Sequence, residues 1–143
     1  MGIEENKEVV RLFCDRMSKG DASVIDELLT DNFVFHAMDT GRAVNRETLK
    51  QITLDRRISF PDLSITIDDI VAEKDRVSVR VSCRGIQRKQ YGNIPLTNKN
   101  IMVARFTIYR LEDSKIAEAW NLVDTLGMYQ QLGALPPTEE IGK

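Results

Sequence analysis

The chain has 143 residues, of which 42% are hydrophobic and 29% charged, and its formal net charge is −2. That length supports one domain with its own core, and neither fraction is that of a disordered segment. The charges are mixed along the chain, with no basic stripe and no apolar run of membrane-spanning length, so neither nucleic acid nor a membrane is expected as a partner. The run from Met1 to Glu5 lacks the basic and apolar regions of a signal peptide, and a cytoplasmic location is expected. Cys14 and Cys83 stand far apart and outside any metal-ligand spacing. With His36 the one histidine, histidine-based zinc sites are unavailable, and no metal is expected.

Asn6 to Lys19 reads as an amphipathic helix, with Val9, Val10, Phe13 and Met17 at helical spacing. Gly20 stops it, and Asp21 is placed to cap a second helix over Ala22 to Leu29. Asn32 to His36 alternates as a strand, with Phe33 and Phe35 on one face and Val34 and His36 on the other. Met38 to Ala43 reads as a loop. Asn45 looks like the cap of a third helix whose apolar positions are Leu49, Ile52 and Leu54. From Leu63 onward the pattern is all strand: Leu63, Ile65 and Ile67 alternate with polar residues, as do Val77, Val79, Val81 and Cys83. Gly92 to Asn98 is a connection, and Ile101 to Leu111 with Ile116 to Val123 forms a final hairpin. Helices first and antiparallel strands after argue α+β, with helices on one face of a sheet. No repeat or linker divides the chain, which reads as one domain over residues 1–137 with a disordered tail over 138–143.

The most informative run is Trp120-Asn121-Leu122-Val123-Asp124, followed by Leu126-Gly127-Met128-Tyr129-Gln130-Gln131-Leu132-Gly133. It resembles the C-terminal signature of the SnoaL-like polyketide cyclase (ester cyclase) family, within the nuclear-transport-factor-two-like superfamily. The resemblance extends from about Asn6 to Pro137. It implies a cone-shaped barrel: a curved, mostly antiparallel sheet with three N-terminal helices packed in its concave face. It also implies a homodimer, a small hydrophobic or carbonyl-bearing ligand, and chemistry without a metal or cofactor.

The hairpin turn can be closed by two residues, Asp113-Ser114, or by three, Glu112-Asp113-Ser114. Glycine is common in the family at the left-handed position that Ser114 would take, which favours the three-residue form. Alternation then puts Arg105, Thr107, Tyr109 and Asn121 on a cavity face. Met102, Phe106, Ile108, Trp120 and Leu122 fall on the other face, which is apolar enough to be a subunit interface. In characterised cyclases of the resembled family a histidine and an aspartate on this hairpin act as acid and base. The resemblance carries those positions onto Thr107 and Asn121, neither of which exchanges protons near neutral pH. His36 and Asp124 are the titratable substitutes, and Tyr109 and Asn121 could bond a carbonyl oxygen or oxyanion. Arg105 would need a carboxylate partner or an anionic ligand. Two functions follow: a cofactor-free enzyme of isomerase or lyase type on a carbonyl-bearing substrate, or a non-catalytic small-molecule binding module with the same pocket.

Overall fold

The structure, a computed structural model, describes residues 2–142; Met1 and Lys143, the outer ends of the expected domain and tail, lie outside them. Helix α1 spans Ile3–Ser18, α2 Ser23–Leu28 and α3 Arg46–Ser59. Gly20 reverses the chain after α1 with φ +80°, a conformation only glycine takes freely. Asn45 caps α3 by accepting from the Thr48 amide at 2.9 Å. The strands are β1 (Leu29–Ala37), β2 (Arg42–Asn45), β3 (Ser64–Glu73), β4 (Arg76–Ile86), β5 (Asn100–Glu112) and β6 (Lys115–Val123). Part of the segment expected as a loop therefore pairs as β2, antiparallel to β1. The short helix α4 (Thr125–Gln131) follows β6, and Thr138–Ile141 of the expected tail forms a single exposed turn, α5.

The six strands make one sheet in the order β2-β1-β6-β5-β4-β3. Every neighbouring pair is antiparallel except β1 with β6, which run parallel. β2 and β3 are its free edges, so the curved sheet stays open and does not close as the expected barrel. The helices cover one face. There Val10, Phe13, Cys14, Val24 and Ile25 pack on Val77, Val79, Val81, Leu111, Ile116 and Ala119. Phe13 meets Tyr109 edge-on, with ring centroids 6.0 Å apart, a geometry worth about 0.5–1.5 kcal/mol beyond area burial. A second cluster, Phe60, Ile101, Val103 and Leu132, closes the far end of the same face.

The last hairpin departs from the expected turn and still keeps the expected faces. Glu112 pairs with Lys115, so the turn is the two-residue loop Asp113-Ser114. Both residues have positive φ, 49° and 67°, the backbone of a type I′ turn. Asp113 is a short polar residue of the kind that tolerates this region. Alone, this loop would set Trp120 beside Thr107. Instead the register shifts between Arg110 and Leu111, Ala117 is left without a partner, and Thr107 pairs with Asn121. The bulge restores the parity that the shorter turn removes.

Candidate functional site

A cavity of about 390 Å³ lies between the helices and the concave face of the sheet, within the usual range for small-molecule sites. Its walls are mainly apolar: Phe13, Phe33, Phe35 and Leu49 at one end, Phe60, Ile101 and Val103 at the other. Helix α4 supplies Met128 and Tyr129 to the rim. That helix is held over the opening by Gln131, which bonds both the amide and the carbonyl of Met102 at 2.8 Å, beyond the end of β6. The Asp124 carboxylate caps α4, accepting from the Gly127 amide at 2.9 Å.

Arg105, Tyr109 and Asn121 line the cavity as the alternation predicts. Thr107 does not reach the wall; it stands directly across from Asn121, and its hydroxyl donates to Asn121 Oδ1 at 2.8 Å. That bond consumes the carbonyl end of the amide, which leaves the amide Nδ2 to serve as a donor toward the cavity. Burial pushes the Tyr109 phenol far above its ordinary range, so it is a neutral donor near pH 7. Burial likewise raises the Cys14 thiol.

Two expected residues lie elsewhere. Asp124 is exposed at its helix cap and takes no part in the cavity wall. His36 does not approach the cavity. Phe33, Phe35 and Ala37 take the inward positions of β1, and the pleat turns His36 to the outer face. There its ring stacks on Trp120, with centroids 5.4 Å apart and planes within 9°. Its Nε2 lies 2.6 Å from Glu118 Oε2, Arg110 Nε donates to Glu118 Oε1 at 3.2 Å, and the Arg76 guanidinium sits 4.8 Å over the indole. The His36 hydrogen bond, aided by Arg110, outweighs desolvation and holds the Glu118 carboxyl below its ordinary value.

The wall also contains groups that the sequence reading passed over. Thr53 and Arg56 line it from α3, and Asp39 stands at its mouth, bonded by the Thr125 hydroxyl at 2.7 Å. Asp39 is the one carboxylate among the wall residues. The signal for Thr53 and Arg56 was present: Leu49, Ile52, Thr53 and Arg56 follow helical spacing along one stripe, so two polar residues occupy core-facing positions. Choosing Leu54 as an apolar position, which is exposed in the fold, hid them. Among the described residues no group of three or more histidine, cysteine, aspartate or glutamate side chains is arranged to hold a metal ion, and no helix is long and apolar enough to cross a membrane.

The family model for SnoaL-like polyketide cyclases matches residues 7–132. The chain belongs to this family. No curated protein matches its sequence. Among solved structures, AclR, a proposed hydroxylase from Streptomyces galilaeus, superposes with a TM-score of 0.87 at 21% identity, covering 94% of this chain and 100% of that one. IdmH, a proposed polyketide cyclase from Streptomyces antibioticus, gives 0.82 at 25% identity over 90% and 98% of the two chains. TsrD from Streptomyces laurentii gives 0.82 at 26% identity over 94% and 99%.

Proposed function

We propose that the cavity binds a small, largely apolar, carbonyl-bearing molecule and promotes cofactor-free proton transfer next to that carbonyl, a step shared by cyclisation and isomerisation. The observation that carries this reading is the convergence of Arg105, Tyr109 and Asn121 on one apolar cavity. A guanidinium, a neutral phenol and an amide N–H aimed at one oxygen would stabilise the enolate as it forms. Asp39, at the mouth, is the candidate proton acceptor. The family's histidine and aspartate positions fall on the Thr107–Asn121 pair, whose hydrogen bond positions the amide and moves no proton.

A second reading has its own support. Neither an imidazole nor a carboxylate lies deep on the cavity wall, so the chain would hold its ligand without turning it over. One experiment separates the two. Aromatic β-ketoesters are incubated with the protein in deuterated water, and binding and exchange of the α-proton are followed by NMR. Exchange that Asp39→Asn abolishes supports catalysis, binding without exchange supports the binding module, and no binding to any of the panel rejects both.

We also propose that the outer face pairs with a second copy. Phe106 is 55% exposed, and Met102, Ile108 and Leu122 are exposed beside it, an apolar strip on a sheet whose helices lie on the opposite side. A closed two-fold dimer would cover it. The free thiols of Cys14 and Cys83 suit a reducing, cytoplasmic compartment.

A further inference from the structure

We infer that the cavity recognises an anion, the carboxylate of a compact apolar acid, held between Arg56 on α3 and Arg105 on β5. This rests on the reading that the cavity binds a small molecule, and it names the chemistry of that molecule. Both arginines line the cavity, and both are half-buried. Among the described residues no carboxylate pairs with either, and the Nε of each is buried without a hydrogen-bond partner. Burial, and then the charge of Arg105, pull the Arg56 guanidinium below its ordinary value. The same burial opposes the charge on Arg105. The ionised forms of Cys83, Tyr109 and Cys14 would more than offset it and raise the guanidinium above its ordinary value, but Cys14 and Tyr109 are themselves raised by burial and stay protonated near neutral pH. Two positive charges therefore face one water-poor space, and the one carboxylate on its wall, Asp39, pairs with neither of them.

The neighbouring residue shows what a structural arginine looks like here. Arg57 donates to the carbonyls of Met17 and Leu63, each at 2.7 Å, and ties α1 to the start of β3. Arg56, one position earlier on the same helix, turns the other way and ties nothing. Its neighbour on the inward stripe, Thr53, also has a buried hydroxyl oxygen without a partner. Of five such orphaned atoms among the described residues, three, on Thr53, Arg56 and Arg105, lie on this one cavity. Unpartnered buried donors and charges are costly, and a ligand that satisfies all of them at once removes that cost. A carboxylate fits best, because its two oxygens accept from the planar forks of guanidinium groups. The aromatic walls specify the remainder as an apolar, ring-sized body.

The test uses 2-naphthoate and its uncharged counterpart 2-naphthamide, titrated into the full chain by calorimetry at neutral pH. The acid should bind at least about tenfold more tightly than the amide. In Arg56→Met and in Arg105→Met that preference should collapse toward unity. Arg56→Lys, which keeps the charge, should retain part of the preference. Equal binding of acid and amide by the wild type overturns the carboxylate assignment and leaves the small-molecule reading standing. Binding of neither up to about 1 mM overturns both. Should a methionine variant fail to fold, the wild-type comparison and Arg56→Lys still decide.

Discussion

The two faces of the β5–β6 hairpin treat charge in opposite ways. On the outer face every charged side chain of the cluster is answered: Glu118 by His36 and Arg110, Arg110 also by Glu112, and Arg76 by the indole of Trp120. Around that cluster Met102, Phe106, Ile108 and Leu122 are left bare. On the inner face Val103, Leu111 and Ala119 are buried, while Arg105, with Arg56 opposite on α3, is left unanswered. A lone domain would put bare apolar groups inside and unpaired charges outside. The inversion is what the two proposals address: a second copy would cover the outer face, and an anion would answer the inner one.

The largest effect expected concerns the outer face. Phe106→Glu should weaken the proposed dimer by about 2–4 kcal/mol, the range of a central interface residue, and leave naphthoate binding unchanged. Sedimentation of both proteins reads it, and a wild type that runs as a monomer at micromolar concentration removes the outer half of the comparison. Next, the adjacent arginines should respond in opposite directions in the ligand-free protein. Arg57→Met strips hydrogen bonds from the Met17 and Leu63 carbonyls and should lower stability by about 1–3 kcal/mol. Arg56→Met removes an unpaired buried charge and should raise it by a similar amount, about 1–3 kcal/mol. Urea midpoints suffice, and a loss of stability in both variants would make Arg56 a structural residue.

A smaller shift tests the register. In Thr107→His with Asn121→Asp, the introduced imidazole should titrate higher than in Thr107→His alone, by about one pH unit, because a carboxylate directly opposite favours its charged form. An NMR titration that gives the same midpoint in both would mean that the two positions do not face each other. The smallest effect belongs to the outer cluster. Glu118 has a lowered folded-state value, so the stability it contributes is present above the ordinary carboxylate range and is lost as pH falls through that lowered value. Because the pair is partly exposed, its contribution should stay below about 1 kcal/mol. Glu118→Gln should flatten the acid limb of the stability profile by that amount, and an unchanged limb would show that the cluster adds nothing measurable.

What the sequence made legible followed from periodicity. Period-two alternation assigned Arg105, Tyr109 and Asn121 to one face and Phe106, Ile108 and Leu122 to the other. The Asn45 cap and the Gly20 stop are local chemistry and were equally readable. The two-residue turn with its bulge was not, because a left-handed Ser114 is disfavoured on local grounds and only the tertiary register demands it. His36 was misplaced although its strand pattern already set it opposite Phe33 and Phe35; its chemistry outweighed its parity. The open sheet could not be read because closure depends on how the edge strands β2 and β3 lie in space.

The unpartnered Ala117 has a consequence for how such chains change length. Residues in most surface turns can be lost or gained with only local effect. Here a single deletion at Ala117 would remove the bulge and leave the ladder from Arg110–Glu118 to Arg105–Val123 in register, so Asn121 would stay opposite Thr107. A residue gained in β6 beyond Glu118 would need a compensating change, because alone it would exchange interior and exterior along the rest of the strand. Relatives with turns of different length can keep identical walls, and positions counted outward from the turn will not correspond among them even where the cavities do.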